Sequence, residues 1–246
     1  MKKAVITLIT GVFLLATNSF AGSKAHWGYS GDGCPENWGK LDPAYSACDT
    51  GVNQSPINLT GFIEADLPSV DFTYSTAAYE IINNGHTVQA VFSKGSSINI
   101  DNIKFNLLQC HFHAPSENTV ENKSFPMEGH CVHASENGKL AVVAIMYEAG
   151  KANEGIAGLW DKMPHKNGDK NKLVTKVNAD LFMPADKDYY RFNGSLTTPP
   201  CTEGVRWIVL KNSVSVSQEQ IDKFVRVMHH PNNRPVQPVN ARIIAK

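Results

Sequence analysis

The stretch Gln109-Cys-His-Phe-His-Ala-Pro-Ser-Glu-Asn118 places two histidines one residue apart in a run that is otherwise apolar. Side chains alternate between the two faces of a β-strand, so a strand here directs His111 and His113 to the same side. Two residue rises separate them by about 7 Å, and at that spacing both imidazoles can reach one metal ion. Cys110 and Phe112 then point to the opposite face, into packing.

A second histidine-bearing segment, Met127–His133, supplies His130 and His133. These two are three residues apart, so in a strand they face opposite sides and only one of them can join the first pair. The other is left for hydrogen bonding. Three neutral imidazoles without a carboxylate or thiolate suit zinc, with the fourth position open to water as in catalytic zinc sites.

A metal-bound histidine needs a partner for its second ring nitrogen, which fixes the tautomer and the aim of the ring. Gln109 shares a strand face with His111, and Glu128 shares one with His130, so both can serve as such partners. A single buried histidine is more often a hydrogen-bonded core residue than a ligand. The combination of three histidines with these two partners favours a metal site.

Composition and charge exclude several classes of protein. The chain has 246 residues, of which 42% are apolar and 19% are charged, so it is globular rather than disordered. Its 23 basic and 23 acidic residues balance, and no long basic run appears. Nucleic-acid binding therefore has no electrostatic support.

The first 21 residues have the features of a secretory signal peptide. Lys2 and Lys3 precede the apolar run from Ala4 to Thr17, and Ser19-Phe20-Ala21 has small residues where a signal peptidase cleaves. A membrane anchor is the competing interpretation, but the run is shorter than the ~20 apolar residues that a span needs. We therefore expect cleavage after Ala21, a periplasmic or secreted protein that is not held in a membrane, and one domain over residues 22–246.

Short segments rich in β-branched and aromatic residues alternate with turn residues through most of the chain, which predicts a β-dominated domain with short peripheral helices. One helix is expected after Ser217, ending at Pro231, and a weaker one from Asn153 to Trp160. The predicted strands are Glu80–Ile82, Val88–Phe92, Ser97–Ile100, Phe105–His113, Gly129–His133, Leu140–Tyr147 and Val205–Leu210.

Motifs along nearly all of residues 26–246 resemble, in order, those of the α-class carbonic anhydrases. They are HWGY (26–29), NQSPINL (53–59), NNGH (83–86), QCHFHAPSE (109–117), MEGHCVH (127–133), GSLTTPPCTEGVRWIVL (194–210) and NNRPVQPVNAR (232–242). Two positions depart from the usual pattern. Asn118 replaces a frequent histidine, which puts a hydrogen bond near Glu117 in doubt, and Cys110 replaces a usual phenylalanine.

The resemblance implies a large twisted, mostly antiparallel mixed β-sheet and reversible hydration of carbon dioxide to bicarbonate and a proton. It implies one zinc ion per chain, bound by His111, His113 and His130, with zinc-bound hydroxide as the nucleophile. Gln109 and Glu128 would orient two of the ligands. In carbonic anhydrases generally, zinc lowers the pKa of its bound water to about 7.

The resemblance also implies roles for residues around the metal. Thr197 would donate its proton to Glu117 and accept a hydrogen bond from the hydroxide, and Thr198 would contact bicarbonate. His86 matches the proton shuttle. The apolar wall for carbon dioxide would be formed by Val132, Val142, Leu196 and Trp207.

The five cysteines are Cys34, Cys48, Cys110, Cys131 and Cys201, and their odd number leaves at least one thiol free or paired between chains. By resemblance, Cys48 and Cys201 form a disulfide. If His111 lies opposite His130, Cys110 also lies opposite Cys131, with Cβ atoms about 4.5–5.5 Å apart. A disulfide prefers about 3.5–4.5 Å. We therefore expect two buried free thiols, with a second disulfide as the alternative and Cys34 as the odd thiol.

Two other classes of function remain open at this point. A catalytically inactive relative that acts as a binding protein would be expected to have lost a zinc ligand or the Thr197–Glu117 pair. A structural-zinc or zinc-storage protein would need a fourth protein ligand. His229-His230 is a further surface metal candidate, although adjacent residues at a helix end point in two directions. The chain is compatible with a monomer or a homodimer.

Overall fold

One large mixed sheet organises residues 26–246, the part of the chain that the computed structural model describes. The predicted signal peptide lies outside these residues. The strands are β1 (Asn58–Leu59), β2 (Asp71–Thr73), β3 (Ala77–Asn83), β4 (Val88–Phe92), β5 (Ser97–Ile100), β6 (Ile103–His113), β7 (Thr119–Val120), β8 (Met127–Ala134), β9 (Leu140–Ala149), β10 (Lys170–Asn178), β11 (Tyr189–Ser195), β12 (Glu203–Leu210) and β13 (Val214–Val216).

The main path of the sheet runs β10-β3-β4-β6-β8-β9-β12-β11, with β5 beside β6, β2 beside β5 and β13 beside β9. Only the pairings of β9 with β12 and β13 are parallel within this sheet, and the other neighbours are antiparallel. The predicted fold class, a large, mostly antiparallel mixed sheet, is confirmed. All seven predicted strands are present, and six further strands, β1, β2, β7, β10, β11 and β13, were not predicted.

The described residues form four short α-helices outside the sheet: α1 (Trp38–Leu41), α2 (Ala47–Thr50), α3 (Glu154–Trp160) and α4 (Gln218–Met228). The helices predicted after Ser217 and from Asn153 to Trp160 are present as α4 and α3, and both are capped at their first turn. The Asn153 side chain accepts a hydrogen bond from the Ile156 backbone N–H, and Ser217 forms a capping box with Gln220. The expected end of α4 at Pro231 was slightly wrong, because His229 adopts a left-handed conformation and closes the helix after Met228.

Both faces of the sheet centre are buried, as the strand β9 shows most directly. Val143, Ile145 and Tyr147 belong to the larger hydrophobic core, which also receives α3 and α4. The alternate residues Val142, Ala144 and Met146 belong to a second core on the opposite face. This alternation determines which side chains of the neighbouring strand β8 face each core.

The cysteine pairing agrees with the sequence expectation at one disulfide and corrects it at another. Cys48 and Cys201 are bonded, as predicted, and Cys34 is the free thiol. Cys110 and Cys131 are also bonded, so the expectation of two free thiols was wrong. The register is the expected one, but the two Cα atoms are 4.1 Å apart, closer than average strand spacing implies, and the sulfurs therefore meet.

Within residues 26–246, no helix combines the length and the apolar character needed to cross a membrane.

His133 lies on the opposite side of β8 from His130, as the strand alternation predicts. It is fully buried, and its Nε2 atom lies 2.9 Å from the Tyr74 hydroxyl. Its Nδ1 atom has no hydrogen-bond partner among the described residues. Burial lowers the pKa of His133 to about 3, so the ring is neutral in the folded protein.

We predict that His133 makes the folded state less stable in mild acid. The unfolded chain takes up a proton at His133 near pH 6.5, whereas the folded chain does not until about pH 3. This contribution to stability is therefore fully present above pH 6.5 and falls by up to about 1.4 kcal/mol per pH unit below it. The free energy of unfolding, measured in urea, should decrease between pH 7 and pH 5 in both proteins. The decrease should be about 2 kcal/mol smaller in His133→Gln than in the unsubstituted chain.

The exposed histidine His165 provides the control, since His165→Gln should leave the pH dependence of the unfolding free energy unchanged. Equal losses of stability in the His133→Gln variant and the unsubstituted chain would contradict the prediction.

Candidate metal centre

The three predicted ligands converge on one point above the sheet. His111 and His113 lie on β6 and His130 lies on β8, where it pairs directly with His111 in the antiparallel register. One nitrogen of each ring belongs to a group whose donor atoms all lie within 4.8 Å of one another. His133 and Cys131 are not part of this group, as their strand positions predict.

Hydrogen bonds from the outer ring nitrogens determine which nitrogen of each ligand is free. His111 Nδ1 lies 2.9 Å from Gln109 Oε1, and His130 Nε2 lies 2.8 Å from Glu128 Oε1. His113 Nδ1 lies 2.7 Å from the Asn232 backbone carbonyl. These oxygens only accept, so each of these nitrogens carries the proton and the other nitrogen of each ring presents a lone pair to the shared point.

The Glu128 carboxylate is held by four hydrogen bonds. Oε1 accepts from His130 and from Asn118 Nδ2 at 2.7 Å, and Oε2 accepts from the backbone N–H groups of Glu117 and Asn118, both at 2.8 Å. Burial raises the pKa of Glu128 to about 6, while the bonds from Asn118 oppose the rise. The asparagine at position 118 put a hydrogen bond near Glu117 in doubt. In the structure it binds Glu128, the hydrogen-bond partner of His130.

Glu117 lies beside the ligand nitrogens and is anchored from the C-terminal segment. Its Oε1 accepts from the Arg234 backbone N–H at 2.8 Å, and its Oε2 lies 3.4 Å from His113 Nε2 and 3.8 Å from His130 Nδ1. Burial raises the pKa of Glu117 well above its ordinary value, and Arg234 and the Thr197 hydroxyl oppose this. Among residues 26–246, Glu117 Oε2 has no hydrogen-bond partner.

The Arg234 guanidinium is buried and connects the C-terminal segment of the chain to residues 48–55. It donates to Gln54 Oε1 and to the Ser55 carbonyl, both at 2.8 Å, and to the Cys48 carbonyl at 2.9 Å. It also lies over the Trp38 ring, 5.6 Å from the centroid. The backbone atom that holds Glu117 is therefore fixed by contacts to the segment that carries one end of the Cys48–Cys201 disulfide.

The site fits a metal ion that prefers neutral nitrogen ligands. Burial, and then the neighbouring histidines, lower the pKa of His111 and His130 well below the ordinary value, and burial lowers that of His113. All three rings are thus neutral near pH 7. His113 Nε2 is buried without a hydrogen-bond partner among the described residues, a costly arrangement that a bound metal would relieve.

A cavity of about 130 Å³ opens above the ligands, and His86 stands at its outer side. His111, His113, Thr198 and Gln109 are among its lining residues, together with His86. His86 also lines a second, outer cavity of about 390 Å³ with His26 and His230. The half-buried ring stacks on Trp27 with centroids 3.7 Å apart, and burial, followed by the charges of His26 and His230, lowers its pKa.

The four residues of the predicted apolar wall are brought together on the ligand face of the sheet. Val142 and Trp207 pair in the parallel register between β9 and β12 and are buried in the second core. Val132 and Leu196 are partly buried against the same core. The Trp207 ring lies edge-on to His130 at 4.9 Å, so the wall borders the ligands directly.

Sequence reasoning missed two residues that support the site, Asn232 and Arg234. Asn232 accepts from His113 through its backbone carbonyl, and its side chain binds the Ala114 N–H and the carbonyls of His86 and Phe112. Both residues lie in the motif NNRPVQPVNAR, which indicated only the family. The sole local signal is a polar triplet bracketed by Pro231 and Pro235.

A mixed sheet that carries three converging imidazoles at the base of a cavity has the architecture of a metal-dependent enzyme. A family model described as eukaryotic-type carbonic anhydrase matches residues 33–246. The carbonic anhydrase of Pectobacterium carotovorum is 46% identical over 242 residues, covering 98% of this chain and 98% of its own length. That of Neisseria gonorrhoeae is 44% identical over 241 residues, covering 96% and 95%.

A solved structure of the α-carbonic anhydrase from Thermovibrio ammonificans, in complex with the inhibitor sulfanilamide, has a TM-score of 0.88 with this chain. The two are 46% identical, and the match covers 90% of this chain and 99% of that one. The chain belongs to the eukaryotic-type, or α-class, carbonic anhydrase family, whose members are zinc enzymes.

We predict that His111→Ala abolishes tight metal binding, because two imidazoles and water hold zinc far more weakly than three imidazoles do. Metal analysis after dialysis against a chelator should find one zinc per unsubstituted chain and almost none in the variant. His133→Gln, which alters the histidine on the opposite face of β8, should retain the metal. One tightly bound zinc in His111→Ala would show that the ligand assignment is wrong.

Proposed function

We propose that this chain catalyses the reversible hydration of carbon dioxide to bicarbonate and a proton at the His111–His113–His130 centre, with one zinc ion per chain. The observation that supports this most directly is the convergence of three neutral imidazole lone pairs beside Glu117 and an apolar wall. When bound there, zinc acidifies a water molecule so that a hydroxide nucleophile is available near neutral pH, the property known for carbonic anhydrases.

Thr197 and Glu117 orient the nucleophile. An ionised carboxylate can only accept hydrogen bonds, so the Thr197 hydroxyl must donate to Glu117 and use its own oxygen as an acceptor toward the nucleophile. The ionised form of Glu117 is favoured once a divalent cation occupies the neighbouring site, because the cation's charge opposes the effect of burial. The nucleophile's remaining lone pair is thereby directed toward the substrate.

The substrate is a small apolar molecule, and the wall beside the ligands suits it. Carbon dioxide offers weak hydrogen-bond acceptors, so the side chains of Val132, Val142, Leu196 and Trp207 hold it without competing for the nucleophile. Thr198, which lines the same cavity as His111 and His113, provides a hydroxyl for bicarbonate. The product is charged and polar, and this apolar wall favours its departure to water.

His86 carries the proton out of the site. It borders the inner cavity with the ligands and the outer cavity with His26 and His230, so a proton that reaches it has a path to solvent. A carrier works best when its pKa is near the working pH, and an imidazole meets this condition. The lowered pKa of His86 makes the ring a readier donor to bulk buffer.

The two competing classes of function have less support. An inactive binding protein has no need for the intact set of ligands, Glu117 and Thr197. A structural-zinc protein needs a fourth ligand, and no further histidine, cysteine or carboxylate of residues 26–246 belongs to the group of converging donor atoms. We also infer export to an oxidising compartment, because disulfides such as Cys48–Cys201 and Cys110–Cys131 persist there.

Stopped-flow hydration of carbon dioxide, with zinc analysis of the same sample, tests the proposed activity. Thr197→Val should lower kcat/KM by about 100-fold, the typical effect of removing one polar group that stabilises a transition state. It should retain one zinc per chain. Thr202→Val, at an exposed position in the following loop, should retain both activity and zinc. A zinc-loaded chain without hydration activity would instead support the binding-protein alternative.

We predict that His86→Ala slows turnover in weakly buffered solution while leaving kcat/KM nearly intact, because only the proton-transfer step is affected. Added imidazole should restore much of the lost rate. The exposed His165→Ala serves as the control and should behave like the unsubstituted chain. An unchanged rate at low buffer concentration would mean that protons leave by another route.

A further inference from the structure

The Cys110–Cys131 disulfide lies directly behind two of the candidate zinc ligands. Cys110 precedes His111 and Cys131 follows His130, and the two cysteines and the two histidines form consecutive pairs in the β6–β8 register. Both cysteines are fully buried in the larger core, on the face away from the imidazoles. The crosslink therefore acts on the backbone beneath the ligands without touching the site itself.

The ring closed by this disulfide contains most of the metal centre. Its ends are 21 residues apart, and between them lie all three histidine ligands together with Glu117 and Glu128. By contrast, the ends of the Cys48–Cys201 disulfide are 153 residues apart. Only the shorter ring restricts the ligands relative to one another directly, because its crosslink joins the residue pair adjacent to His111 and His130.

An irregularity in the same strand pair gives the crosslink a further role. The regular pairing of β6 with β8 is interrupted between Leu107 and Gln109, immediately before Cys110. A slip of one residue in the register would turn the ligands of one strand toward the opposite face. The disulfide joins the strands at the second residue pair after the irregularity. The pair His111–His130 comes immediately after it.

We propose that the Cys110–Cys131 disulfide is a positioning element of the metal centre, which keeps His111 and His130 opposite each other when no metal holds them. This inference rests on the proposed zinc site. Changes to groups that orient metal ligands commonly reduce affinity by about 10- to 100-fold. Loss of the crosslink should therefore speed release of the metal by at least about tenfold. Both sulfurs are shielded from solvent, so the crosslink is a permanent structural element and not an exposed redox switch.

The test compares Cys110→Ala/Cys131→Val with a matched control, Val143→Ala. Val143 pairs with Cys131 on β9, is equally buried and belongs to the same core, so its truncation loosens the packing at the same place without breaking the crosslink. The measurements are the rate of zinc release to a chelator, the visible spectrum of the cobalt-substituted protein and Tm. The double variant should release zinc at least about tenfold faster and show an altered cobalt spectrum. Val143→Ala should lower Tm alone.

Release of zinc by the double variant at the unsubstituted rate would overturn the proposal. Equal acceleration by Val143→Ala would overturn it too, because general loosening of the core would then suffice. Cys110→Val/Cys131→Ala provides a second version of the crosslink-free chain if the first does not fold. Thiol counting on the denatured, unreduced chain gives an independent result, with one free thiol expected and three contradicting the proposal.

The zinc content of the unsubstituted chain separates this inference from the proposed function. Absence of zinc there would refute the proposed centre, and the positioning role with it. One zinc per chain together with unchanged release in the double variant would refute the positioning role alone.

Discussion

The proposed metal centre depends above all on the pairing register between β6 and β8. The antiparallel pair His111–His130 puts imidazoles from two neighbouring strands on one face of the sheet, and His113 joins them because it lies two residues further along β6. Since side chains alternate, a shift of one residue would send ligands into the opposite core. The larger hydrophobic core opposes such a shift, because it would also remove Phe112 from that core.

Around the ligands, the fold must accommodate an unusual number of buried polar groups. Glu117, Asn118, Glu128, Asn232 and Arg234 are all at most 2% exposed. A buried charge without a partner is strongly destabilising, by about 3–5 kcal/mol when one partner of a pair is removed. The partners of Glu117, Asn232 and Arg234 come from distant parts of the chain, so the irregular N- and C-terminal segments are as necessary to the site as the strands.

How far the sequence predicts this site depends on whether each contact has a local pattern. Strand alternation alone identifies the shared face of His111 and His113, and likewise the opposite directions of His130 and His133. The contacts of Asn232 and Arg234 with His113 and Glu117 run through backbone atoms, which leave no trace in side-chain identity. They also join positions more than a hundred residues apart.

Two errors of prediction have similarly physical causes. The strand β10 was not expected because it is mostly exposed and at the edge of the sheet, so it lacks the apolar alternation that marks buried strands. The bond between Cys110 and Cys131 was not expected because average strand spacing was applied to a pair whose Cα atoms lie 4.1 Å apart. Family resemblance, not periodicity, supplied the Cys48–Cys201 bond and the roles of Thr197 and His86.

The position of His26 has a practical consequence for anyone who attaches this protein to a surface or to another polypeptide. His26 lines the outer cavity beside His86, so a fusion joined immediately before it would begin at the rim of that cavity, beside the proposed proton carrier. The C-terminal segment lies elsewhere: Ala245 bridges to Arg191 on β11, at the end of the sheet farthest from β10. Tethering through Lys246 therefore starts from a residue that lines neither the inner nor the outer cavity.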